Sequence, residues 1–99
     1  MPRYDAKKDS LHNDIERALR REPDFWVLDT SWAGRGLPDL LLHDYETYWM
    51  EIKSERGTLT DDQQTFIRLY PGTVYIVRSV DMATGIVRER RSQWPQNTR

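Results

Sequence analysis

The chain has 99 residues, a formal net charge of −1 and no cysteine. That length allows one small domain with a modest core. The composition excludes disulfides, a thiolate zinc site and thiol catalysis.

Asp9 or Ser10 can cap a first helix running to about Arg21, with Leu11, Ile15, Ala18 and Leu19 on its buried stripe. Glu22-Pro23 ends it. Phe25 to Asp29 reads as a strand, and Trp32-Ala33-Gly34-Arg35-Gly36 as a glycine-punctuated loop. Leu37 to His43 is a second strand, apolar almost throughout and so expected to be covered on both faces. After the turn at Asp44-Tyr45-Glu46, Thr47 to Ser54 forms a third strand. Gly57 breaks the chain before a second helix, Thr60 to about Tyr70, whose opening Thr60-Asp61-Asp62-Gln63 matches a capping box. Pro71-Gly72 stops that helix, and Thr73 to Ser79 is a strong strand. From Asp81 onward the pattern is ambiguous: Asp81 can cap a short helix, but Gly85 interrupts it and Ile86-Val87 equally suits an edge strand. A loose tail is expected from about Ser92. The order α-β-β-β-α-β predicts an α/β or α+β domain, a mixed sheet flanked by helices.

Chemistry concentrates between Gly36 and Gln63. An acid–x–lysine triplet arises by chance about half a time in a chain of this composition, and Asp5-Ala6-Lys7 is a second, uninformative copy. Context distinguishes Glu51-Ile52-Lys53. On a strand, Tyr48, Met50 and Ile52 face one way while Trp49, Glu51 and Lys53 face the other. A surface salt-bridging pair is the plain explanation. Against it, the preceding strand delivers Asp39 just after Pro38, and an acid inside an apolar strand is costly unless its charge is compensated. Convergence of two acids on a cation supplies that compensation. His12 and His43 are too few for a histidine-rich metal site and are expected at the surface or half-buried. Any metal should therefore rest on oxygen ligands, which suits Mg²⁺ or Mn²⁺ rather than zinc. The serines lack a histidine–acid constellation. Trp26, Trp32 and Trp49 are expected in the core, with Trp32 also a candidate base-stacking residue. Arg35 is a candidate contact to a DNA backbone.

Gly36-Leu37-Pro38-Asp39, Glu51-Ile52-Lys53 and Gly57-Thr58-Leu59-Thr60-Asp61-Asp62-Gln63 together resemble the PD-(D/E)XK nuclease superfamily. More narrowly, they are similar to its VRR-NUC group, in which E-x-K-x-x-x-G-x-L-S/T-x-x-Q follows the strand. The likeness covers about residues 9 to 83. It implies a restriction-endonuclease-like core and a metal-dependent nuclease. In that scheme Asp39, Glu51 and the carbonyl of Ile52 ligate Mg²⁺ or Mn²⁺, and Lys53 positions or activates water. Gln63 hydrogen-bonds Lys53, the water or a phosphate, or serves the Thr60 cap, or does both. The family's first helix usually offers a glutamate near its beginning; here Asp9 and Glu16 both stand as the equivalent acid.

The resemblance further implies structured DNA as substrate, including a four-way junction cut by a homodimer. A flap or single-strand nuclease and an inactive DNA-binding domain of the same fold are the alternatives. The net charge argues mildly against nucleic acid, but Arg88, Arg90, Arg91 and Arg99 crowd the C-terminus and Arg17, Arg20 and Arg21 the end of the first helix, so local basic patches are expected. No apolar run approaches the roughly 20 residues that span a bilayer, and no signal peptide opens the chain, so no membrane partner and a cytoplasmic address are expected.

Overall fold

The computed structural model describes residues 9–94; Asp5, Lys7, Arg99 and the end of the expected tail lie outside them. Four strands, β1 (Trp26–Asp29), β2 (Leu40–His43), β3 (Thr47–Ile52) and β4 (Val74–Val77), form one sheet in that spatial order. β1–β2 and β2–β3 pair antiparallel, whereas β3–β4 pair parallel. Among the described residues, three helices complete the α+β fold: α1 (Ser10–Arg20), α2 (Asp61–Leu69) and α3 (Val80–Ser92). α2 lies in the crossover that a parallel β3–β4 pair requires.

Side-chain alternation assigns the two sheet faces. Leu40, Leu42, Tyr48, Met50 and Val77 join Ile15 and Leu19 of α1 and Ala83 and Val87 of α3 in one fully buried core. On the opposite face, Trp49 packs edge-on against Phe66 and Tyr70 at 5.4 and 6.2 Å between ring centroids. Those two residues belong to α2 and its C-cap.

β2 begins three residues later than expected, because the 37–39 stretch runs into the sheet from a strained loop. The ambiguous C-terminal segment is a helix. Ser79 caps it by accepting from Met82 N at 3.0 Å, and Ala83, Thr84, Val87 and Arg90 form its buried side. Gly85 is exposed and meets no neighbouring atom, so it costs only helix propensity, about 1 kcal/mol relative to alanine. The helix continues to Ser92, and the Trp94 ring lies 5.9 Å from Tyr45, so the chain is still packed where a loose tail was expected to begin.

Two further expectations are corrected. Trp26 and Trp32 are 51% and 66% exposed, not core. Trp26 alternates with the buried Val27 on an edge strand, whereas Trp49 on central β3 is covered by α2. Among the described residues, Arg88, Arg90 and Arg91 do not form a free basic patch either. Arg88 and Arg91 both bond Glu22, at 2.8 Å each, and Arg90 bonds Asp44 at 2.7 and 3.0 Å. At the first helix, Arg17 pairs with Asp14 and Arg20 with Glu16.

Candidate functional site

The loop from Gly34 to Gly36 prepares the approach to β2. All three residues hold positive φ, including Arg35 at 58°. Gly36 is required on a second ground: a Cβ there would lie 2.5 Å from the backbone oxygen of Asp62. The loop therefore presses directly on the first turn of α2. Beyond it, Thr30 donates from Oγ1 to Pro38 O at 2.7 Å and from N to Asp39 O at 2.8 Å. These bonds pin the backbone of the Pro-Asp pair to the end of β1. The Asp39 side chain then reaches across to β3, where Oδ2 accepts from Ile52 N at 2.8 Å.

Glu51, immediately before Ile52, sends its side chain toward α2. Its Oε2 accepts from Gln63 Nε2 at 2.8 Å and lies 3.5 Å from Lys53 Nζ. The side chains of Glu51 and Lys53 are only 3% and 16% exposed, so they are not a surface ion pair. Gln63 serves the cap as expected, and its bond at the site goes to Glu51 rather than to Lys53. Gln63 Oε1 accepts from Thr60 N at 2.9 Å, closing the capping box, while the amide nitrogen of the same side chain serves Glu51. The structure thus brings Asp39, Glu51, Ile52, Lys53 and Gln63 together at the junction of β2, β3 and α2.

The charges there are poorly compensated. Burial pushes the Asp39 carboxyl up, opposed by the Ile52 N–H and the charges of His12 and Lys53, and reinforced by Asp29. Burial and then the negative charge of Asp39 push Glu51 up to about 7, with Lys53 pulling the other way. Glu51 Oε1 is buried without a hydrogen-bond partner. An orphaned buried acceptor, on one of two carboxyls that each disfavour ionisation, is what a hard divalent cation satisfies with oxygen ligands. The donor set fits Mg²⁺ or Mn²⁺. No protein-family model, curated protein or solved structure matches this chain.

The first-helix acids divide. Asp9 is the N-cap of α1, accepting from His12 N at 2.9 Å, and that structural duty accounts for it. Glu16 instead gathers with His12 and Asp29; one ligand atom from each lies within 4.8 Å of the others. His12 is buried rather than at the surface, because it shares the inward side of α1 with Ile15 and Leu19. That spacing of three and seven residues was the available signal, and the polarity of histidine hid it. Asp29 drew no attention as the last residue of a short strand. His43, by contrast, is exposed and contacts Thr47 Oγ1 at 2.9 Å.

Trp32 and Arg35 stay on the loop. Trp32 Nε1 donates to Asp29 O at 3.1 Å, which fixes its ring while leaving most of it in water. Arg35 is exposed and, with Asp62, Phe66 and Tyr70, lines a groove of about 460 Å³ beside α2.

Proposed function

We propose that the chain is a metal-dependent endonuclease with a PD-(D/E)XK core of the VRR-NUC kind, hydrolysing phosphodiester bonds in structured DNA. The observation that carries this reading is the buried Glu51 carboxylate: one oxygen without a partner, the other held by Gln63 and 3.5 Å from the Lys53 ammonium. An ion pair serving stability alone is expected to have its remaining acceptors satisfied.

In this scheme Asp39, Glu51 and the carbonyl of Ile52 hold Mg²⁺ or Mn²⁺, which when bound polarises a phosphate and acidifies water. Asp39 and Glu51 supply the negative charge that selects a cation. Lys53 aligns the attacking water and offsets charge that builds on the phosphate oxygens. Gln63 fixes the Glu51 carboxylate from α2, so that its orientation does not depend on solvent. Arg35 and the exposed Trp32 flank the Asp39 side of the loop and suit contact with a DNA backbone and an unpaired base. So small a catalytic domain leaves little surface for reading base sequence, which favours recognition of DNA shape. Paired cuts across a four-way junction then call for a two-fold homodimer.

The test is cleavage of labelled junction, flap, duplex and single-stranded DNA with Mg²⁺, Mn²⁺ or EDTA. Metal-dependent cuts are expected, strongest on the junction, with a solution mass equal to two chains. Lys53→Ala and Asp39→Asn are each expected to lower turnover by at least ~10²-fold while DNA binding persists. Cleavage unchanged by either substitution overturns the catalytic assignment. Preference for a flap with a one-chain mass retains the chemistry and replaces the junction.

A further inference from the structure

We infer that His12, Glu16 and Asp29 form a second cation site, for a divalent first-row transition ion, distinct from the Asp39–Glu51 pair. His12 Nε2 is the deciding atom. It is buried, has no hydrogen-bond partner, and faces Glu16 Oε1 at 3.5 Å and Asp29 Oδ1 at 3.6 Å. A charge-assisted hydrogen bond to a carboxylate is about 2.7–2.9 Å long, shorter than either spacing, and His12 Nε2 makes no hydrogen bond to either carboxylate. Ligand atoms each about 2.0–2.2 Å from a tetrahedral ion lie about 3.3–3.6 Å from one another. The two His12 spacings match the second geometry, and all three ligand atoms lie within 4.8 Å of one another.

The surroundings behave as the outer support of such a site. Arg20 holds Glu16 through the other carboxylate oxygen, Oε2, at 2.7 Å, while Oε1 faces His12 at 3.5 Å. Ser31 donates from both N and Oγ to Asp29 Oδ1, at 2.9 and 2.7 Å, and so fixes that carboxylate. Hydrogen-bonded ligands of this kind orient and tune a bound metal. The three side chains come from α1 and the end of β1, and Arg20 also ties those elements by donating to Val27 O at 3.2 Å. One imidazole nitrogen with two carboxylates suits Zn²⁺, Co²⁺ or Mn²⁺ better than Mg²⁺, which favours an all-oxygen shell. Three protein ligands leave a fourth position for water or an anion. The charges of His12 and Asp29 both act on Asp39, so an ion here would add positive charge beside the first site. The inference does not depend on the chain being a nuclease.

The experiment titrates Co²⁺ into the purified chain, following visible d–d absorption, with Zn²⁺ displacement read by calorimetry. Saturable absorption is expected in the wild type and in the Asp39→Asn/Glu51→Gln double variant, resistant to excess Mg²⁺. His12→Asn and Glu16→Gln are each expected to weaken binding at least tenfold, with folding checked by circular dichroism. If His12→Asn does not fold, Glu16→Gln and Asp29→Asn decide the matter. Absence of absorption in the wild type, or binding unchanged in the folded ligand variants, overturns the site in favour of a simple ion pair. Loss of binding in the Asp39/Glu51 double variant alone overturns it by assigning the ion to the first site.

Discussion

The molecule holds two buried polar networks, and they are built on opposite principles. Around Arg90 the charges are paired, and the buried atom left without a hydrogen-bond partner is the neutral Tyr48 Oη. The Arg90 guanidinium bonds Asp44 twice, Tyr75 Oη at 3.2 Å and Glu46 at 3.3 Å, and lies 3.9 Å from the centre of the Tyr48 ring. Burial raises Asp44, but Arg90 together with the Glu46 and Tyr45 backbone N–H groups outweighs it and holds that carboxyl below its usual range; the bond to Asp44 raises Arg90. Around Glu51, carboxyls crowd one another, one oxygen is orphaned and both Asp39 and Glu51 are pushed toward the protonated form. The first network fastens α3 to the β2–β3 turn. The second holds unspent negative charge in a protected place, which is a property of binding sites rather than of scaffolding.

Removing Arg90 should have the largest effect on stability. Arg90→Met strands a buried Asp44 and is expected to cost about 3–5 kcal/mol, measured by urea denaturation. A loss below ~1 kcal/mol would erase the contrast between the networks.

Glu51→Gln should act in the other direction. In the metal-free chain, folded Glu51 retains its proton up to about pH 7, whereas an unfolded glutamate loses it near its ordinary value of 4.5. The folded state therefore binds more protons across that window, so Glu51 makes stability fall as pH rises through it. The glutamine variant should be about 1–3 kcal/mol more stable than wild type at pH 8, after some solvent screening, and about equal at pH 4. Adding Mg²⁺ at pH 8 should stabilise wild type and leave the variant unmoved. A variant less stable than wild type at pH 8 would show that Glu51 is structural after all.

The smallest effect sharpens the boundary between cap and site. Thr60→Ala removes the acceptor for Gln63 N, 3.1 Å away, and should cost about 1 kcal/mol in thermal melts. Because the Gln63 amide still reaches Glu51, the pH dependence of stability should not change.

What the sequence disclosed, and what it hid, follows from the range of each signal. Period-two alternation in β3 separated Tyr48 and Met50 from Trp49 and Glu51, because a strand's side chains must alternate whatever packs on them. The Glu51 placement was legible for the same reason, whereas Pro38 and Asp39, expected inside a strand, lie just before β2; Thr60 to Gln63 announced a helix start through local bonding alone. The exposure of Trp26 was not legible, since it depends on β1 lying at the sheet edge. Nor was α3, where Gly85 weakened the local helical signal and long-range pairing with Glu22 and Asp44 contributed the rest. The His12–Glu16–Asp29 cluster was hidden because it joins a helix to a strand, and no spacing within either element reveals the third member.

Gln63 has a consequence of its own. One amide closes the capping box with its oxygen and steadies Glu51 with its nitrogen. Any ion that draws the Glu51 carboxylate aside must loosen that grip, and the disturbance will be felt where α2 begins. Hydrogen exchange at the Gln63 backbone amide would then serve as a built-in occupancy gauge, readable without any nucleic acid in the tube.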